Sequence, residues 1–157
     1  MKKTELRFLF LIPIIVLFIS CDKNQIYDKF QPIPKLGWNK DSVIVFDISV
    51  TDTLQNQNLY INVRNDVKYK YSNLWLFVEI IQPGSSELTD TFEITLADQS
   101  GKWLGDGFGG LKTRKAIYKR NIYFPVSGNY RINIQHGMRE DILNGITNIG
   151  VRLEKLE

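Results

Sequence analysis

Beyond Lys35 the apolar residues of this chain recur every second position rather than every 3.6. Phe46, Ile48 and Val50 alternate with Asp47 and Ser49, and Leu59, Ile61 and Val63 alternate with Tyr60, Asn62 and Arg64. The same rhythm runs through Phe92, Ile94 and Leu96, through Tyr130, Ile132 and Ile134, and through Ile149, Val151 and Leu153. Side chains on a strand point alternately to its two faces, so each segment predicts a strand with one buried face. Asn73–Ile81, NLWLFVEII, is apolar on both faces and predicts a central strand; Ala116–Phe124 predicts a more amphipathic one. Turn-forming clusters separate them at 56–58, 83–86, 101–110 and 125–128. Seven to eight such strands predict an all-β domain, a two-layer antiparallel β-sandwich of immunoglobulin-like or jelly-roll-like type. Only His136–Asn144 leaves room for a short helical turn. Ser127-Gly128-Asn129-Tyr130 has the spacing of a tyrosine corner, in which the phenol bonds back to the preceding turn.

The N-terminus breaks the pattern. Lys2, Lys3 and Arg7 precede an eleven-residue apolar run, Leu9 to Ile19, interrupted only by Pro13. As a helix it would span roughly 17 Å, too short for a hydrocarbon core of about 30 Å. That length suits a signal-peptide core. The run ends Ser20-Cys21, a small residue before a cysteine, as in a bacterial lipobox, and Cys21 is the single cysteine of the chain. An exported protein with one thiol cannot close an internal disulfide, and lipidation of Cys21 accounts for it. The expected organisation is a lipoprotein signal peptide at 1–20, a tether at 21–35 containing Pro32 and Pro34, and the sandwich at 36–157. Acyl chains on Cys21 (palmitate or similar) would make the membrane the first partner, since each buried methylene contributes about 0.8 kcal/mol.

Charge narrows the picture. The full chain carries +3, but cleavage after Ser20 removes three cations and one anion and leaves about +1. The basic stretch at 112–120, KTRKAIYKR, then reads as a solvated strand face, and no nucleic-acid partner is expected. Gly105, Gly107 and Gly110 spell G-x-G-x-x-G, the spacing of a dinucleotide turn. That fingerprint requires a helix to leave the loop and an acid about 20 residues later. Here a β-periodic segment follows, and positions 125–130 contain no acid, so no nucleotide is expected. The loop instead sets Trp103, Leu104, Asp106 and Phe108 among five glycines, a candidate interaction loop. Within it Trp103 is expected to tuck beneath the loop and Phe108 to stand exposed.

Nothing in the sequence assembles a catalytic or metal site. His136 is the only histidine and is expected to be structural. Asp66, Asp90, Asp98 and Asp106 lie near turns, where aspartate makes local hydrogen bonds. Neither a zinc ligand set nor a calcium loop is present, so no cofactor is expected and the chain reads as non-catalytic. The competing reading is a lipid-anchored module binding a glycan or other ligand, with Trp75 or Trp103 as an aromatic platform.

Four segments taken in order add a family. Asn65–Phe77, Asp98–Gly105, Phe124–Tyr130, and Gln135–Leu143 followed by Gly145-Ile146 and Gly150 resemble the gliding-motility lipoprotein GldH family. The resemblance spans most of the mature chain. It implies a cell-envelope lipoprotein that works with other gliding-motility and type IX secretion proteins. It carries over Cys21 as the one functional site. It also implies the periplasmic face of the outer membrane, although Asp22 after the cysteine is an inner-membrane signal in enteric bacteria. Asp41-Ser42-Val43 and Asp52-Thr53-Leu54 match the Asp-Ser/Thr-aliphatic acceptor pattern for O-glycosylation in such envelopes.

Overall fold

The structure is a computed structural model that describes residues 23–84 and 87–156. Its elements are β1 (Gln25–Pro32), β2 (Trp38–Asn39), β3 (Ile44–Val50), β4 (Gln57–Asp66) and β5 (Asn73–Ile81), then β6 (Glu87–Thr95), β7 (Leu111–Ile122), β8 (Gly128–His136), β9 (Ile142–Leu143) and β10 (Ile146–Lys155). Two four-stranded sheets form, in the orders β1-β10-β4-β7 and β3-β8-β5-β6, with every pairing antiparallel. Among the eight long strands the first pairs with the last, β3 with β8, β4 with β7, and β5 with β6. The chain is in effect folded in half and the double strand rolled into a sandwich. That is the jelly roll, one of the two architectures that the periodicity allowed.

The alternation explains the core. Leu59, Ile61 and Val63 of β4 and Ile149, Val151 and Leu153 of β10 face inward from one sheet. Phe46 and Ile48 of β3, Leu74, Leu76 and Val78 of β5, and Ile132 and Ile134 of β8 meet them from the other. Burying one such side chain contributes about 1.5–3 kcal/mol, so the inner faces dominate the stability of the fold. Phe124 packs edge-on against Tyr130 with ring centroids 4.8 Å apart, and the Tyr130 hydroxyl donates to the Val126 carbonyl at 2.8 Å. This is the corner anticipated from the sequence.

Three local expectations are corrected. Residues 25–32, read as part of the tether, are β1, an edge strand paired with β10 along its length. Only Tyr27 of β1 packs against the core; its polar alternation suits an edge. On the outer face Phe30 lies over Gly150, where an added Cβ would come within 2.8 Å of the ring. Arg152 of β10 ties β1 down by bonding Asp28 at 2.7 Å. The segment 136–144 holds no helix. Leu143 is buried by pairing with Trp38 while Ile142 points outward, the opposite-face placement of a strand. Finally, β5 is central, between β6 and β8, yet its outer face is open, with Trp75 and Phe77 exposed to 39% and 47%.

Topology sorts the connections to two ends. The segments 33–43, 67–72, 96–110 and 137–145 gather at one end, here called the loop end. The short connections 51–56 and 123–127 and residues 82–84 lie at the other, as does the start of β1, since Gln25 pairs with Glu154 at the far end of β10.

Candidate functional site

The glycine loop is built by close approach. Ala97 bridges to Trp103, and the turn Asp98–Gly101 closes with the Gly101 amide donating to the Asp98 carbonyl at 3.0 Å. The Asp98 carboxylate accepts from the Ser100 hydroxyl at 2.7 Å and from the amides of Ser100 and Lys102. The Ser100 hydroxyl, with those amides, holds Asp98 below the usual carboxylate range. The chain thus turns back to the sheet, as expected, and Trp103 packs against the core. Asp106 and Thr113 exchange backbone hydrogen bonds at 3.0 and 2.7 Å. A Cβ on Gly105 would sit 2.8 Å from the Thr113 backbone, and one on Gly107 would sit 2.3 Å from the Leu111 carbonyl oxygen. The glycines are therefore there to let the loop lie flat on the start of β7, not to cradle phosphate. Leu104 and Asp106 are exposed, and Phe108 stands fully in solvent, as anticipated.

The other turn-side aspartates divide. Asp66 accepts the Lys68 amide at 2.8 Å, a local turn bond. Asp90, in contrast, lies within β6 and pairs with Lys119 of β7, whose ammonium holds the carboxyl below its usual range. The basic stretch 112–120 is correspondingly engaged: Lys115 pairs with Glu154 and rests over the Tyr60 ring at 4.1 Å. His136 is 2% exposed, edge-on to Trp38, with its Nε2 3.0 Å from the Trp38 carbonyl oxygen. Burial pushes its pKa down, so it is neutral and ties β8 to β2. Among the described residues no cluster of three or more His, Cys, Asp or Glu could hold a metal. Cys21 lies outside the described residues.

A second feature of the loop end was anticipated from sequence only through Trp75. Trp75, Phe77, Tyr71 and Met138 line a cleft of about 560 Å³ with Asn73 and Arg139. The segment after β8 supplies one wall. The Gly137 amide donates to the Trp75 carbonyl at 2.7 Å, and the Trp75 amide meets Met138 Sδ at 3.4 Å. Gly137 leaves just enough room: a Cβ there would lie 3.2 Å from the Phe77 ring. On the neighbouring strand Thr91 lines the cleft, while Glu93 stands opposite Trp75 and accepts from the Asn73 amide at 2.6 Å. The Tyr71 hydroxyl donates to Glu140 at 2.8 Å. Of the two tryptophans considered for an aromatic platform, Trp75 lies in the cleft beside Phe77 and Trp103 takes no part. The legible signal was the i, i+2 aromatic pair on the outer face of NLWLFVEII.

The class defined by this fold and site is a single jelly-roll domain with Trp75, Phe77 and Phe108 exposed toward its loop end. The model of the family described as GldH lipoprotein matches residues 25–153, and the chain belongs to that family. A "Gliding motility lipoprotein GldH homolog" of Christiangramia forsetii is 42% identical over 148 residues, covering 90% of both chains. The "Gliding motility lipoprotein GldH" of Flavobacterium johnsoniae is 35% identical over 147 residues, covering 89% of this chain and 91% of its own. Among solved structures, a 4-O-methyl-alpha-glucuronidase with specificity for decorated arabinogalactans aligns at a TM-score of 0.44 and 11% identity, over 88% of this chain and 18% of that enzyme. The subviral particle of infectious bursal disease virus aligns at 0.39 and 9% identity, over 85% of this chain and 34% of that protein.

Proposed function

We propose that this chain is a non-catalytic accessory component of gliding motility and of the associated type IX secretion apparatus, held by lipid on Cys21 at the periplasmic face of the outer membrane. The observation that carries the reading is the family membership, which extends over nearly the whole of β1–β10. The Ser20-Cys21 junction supports the anchor. The flat glycine loop, with Leu104, Asp106 and Phe108 facing outward around a packed Trp103, supports a contact surface for other envelope proteins. That surface lies at the end opposite the start of β1. A body anchored through Cys21, four residues before Gln25, therefore presents its loops away from the lipid.

The test is a deletion strain of a gliding host complemented with the wild-type gene or with Cys21→Ala. Wild type should restore colony spreading and secretion of a type IX cargo. Cys21→Ala should leave the protein in the carbonate wash, or block its maturation, and restore neither. Spreading and secretion that persist in the deletion strain would overturn the reading. Membrane pelleting that survives the substitution would overturn the anchor, and density-gradient fractionation would assign the membrane.

A further inference from the structure

We propose that the cleft floored by Trp75 and Phe77 is a binding site for an uncharged pyranose saccharide. This goes beyond the motility role and does not depend on it. The volume, about 560 Å³, falls within the range of about 300–1,000 Å³ typical of small-ligand sites. Two rings two residues apart on one strand face stand side by side, and both are substantially exposed although each is large and apolar. The C–H face of a pyranose is weakly electropositive and meets the negative face of an aromatic ring, so such a floor holds a sugar without needing a charge.

The walls supply what the hydroxyls need. Asn73 offers an amide, Thr91 a hydroxyl and Arg139 a guanidinium, groups that donate to or accept from vicinal hydroxyl pairs. Glu93, opposite Trp75 and outside the lining, accepts from the Asn73 amide and so fixes that side chain. Charge decides for an uncharged ligand. Around the cleft Lys70 and Arg139 are matched by Glu93 and Glu140, with Lys70 and Glu140 3.6 Å apart. A balanced rim gives no net attraction to an anion or a cation.

Geometry decides against a docked protein. Beyond Val45, the neighbouring part of this sheet face is polar and paired: Arg131 bonds Asp47 at 2.8 Å and Asn133 bonds Glu79 at 2.6 Å. A stable protein interface needs about 800 Å² per partner with a charge-depleted centre. Here the aromatic surface is a cleft at the end of β5, not a broad face.

The experiment is affinity electrophoresis of the full-length lipidated protein in a detergent without sugar groups. Gels contain amylose, β-glucan, mannan or xylan, with polygalacturonate as the charged counterpart. At least one uncharged polysaccharide should retard the protein. Trp75→Ala should weaken that retardation by at least about tenfold, equivalent to about 1.4 kcal/mol. Arg139→Ala, a solvent-facing change that leaves the floor intact, should weaken it less and melt as wild type does, while Trp75→Ala should melt lower but cooperatively, well above the assay temperature. If no uncharged polysaccharide retards the protein, or only polygalacturonate does, the proposal fails. It fails equally if both folded variants bind as wild type does, or if the cleft takes up apolar peptides and no saccharide.

Discussion

Trp103 and Phe108 sit five residues apart in one loop and should behave oppositely. Trp103 packs on the core, so Trp103→Ala removes part of a large buried surface and leaves a cavity, a cost of about 2–4 kcal/mol for a partly buried ring. Phe108 touches solvent all round, so Phe108→Ala should shift stability by no more than about 0.5 kcal/mol. Under the proposed function the second variant, not the first, should lose envelope co-purification while keeping its melting temperature. Urea denaturation of both proteins, with pull-down from envelope extracts, checks the pair.

His136 gives a pH dependence with a definite sign. Its pKa in the folded state lies below the ordinary value of 6.5, because burial beside Trp38 disfavours the charged ring. The unfolded chain therefore binds a proton first on acidification, and stability falls as pH drops below about 6.5. It is fully present above that value. His136→Phe should flatten the melting temperature between about pH 7 and pH 5. An unchanged slope in that variant would assign the dependence to other groups.

Among elements, β1 is the instructive one. Its sequence, QIYDKFQP, is polar and ends in proline, and composition gave every reason to read it as tether. Edge strands look this way because only one flank is paired and one face need not be buried. The signal that would have placed it lies elsewhere, in β10, whose buried residues need a partner on each side. Removing residues 23–32 should therefore do more than shorten a leash. It would bare the β10 edge, lower the melting temperature and promote self-association, which calorimetry and light scattering would detect.

Period-two alternation made β3, β4, β6, β8 and β10 legible, and turn chemistry made the Tyr130 corner legible. Tyr130→Phe should cost about 1 kcal/mol by leaving the Val126 carbonyl without its donor. What alternation could not convey is which outer faces stay open. Trp75 and Phe77 sit in a run that reads as core on both faces, and only the position of β5, whose outer face is left partly open among the described residues, shows them to be surface. For the same reason β9 was missed, since two residues are too few to display a period.

At the scale of the molecule, the rolled double strand would separate the proposed anchor and the proposed binding cleft along one axis. Leading residues and short turns occupy one end; the glycine loop, the aromatic cleft and β2–β9 occupy the other. Both ends are joined by the same long strands, so a substitution in the cleft has no short route to the anchor. Gly137→Ala tests this partition. The added methyl would press on the Phe77 ring at 3.2 Å and narrow the cleft. It should impair saccharide retention, cost about 1–3 kcal/mol as overpacking does, and leave membrane pelleting unchanged.

The pairing of β1 with β10 also fixes how the body would bear force. With the anchor at Cys21 and a partner held at the loop end, tension enters at Gln25 and runs parallel to the strand axis. Ladder hydrogen bonds lie perpendicular to that axis, so the whole β1–β10 ladder is loaded in shear and its bonds must break together rather than one by one. Peeling would require the pull to come from Pro32 instead. A moving envelope that drags on this protein through its lipid would therefore meet the mechanically strong direction of the fold. Single-molecule pulling between residue 23 and the loop end should show a high, cooperative rupture force, and pulling from residue 33 a low, stepwise one.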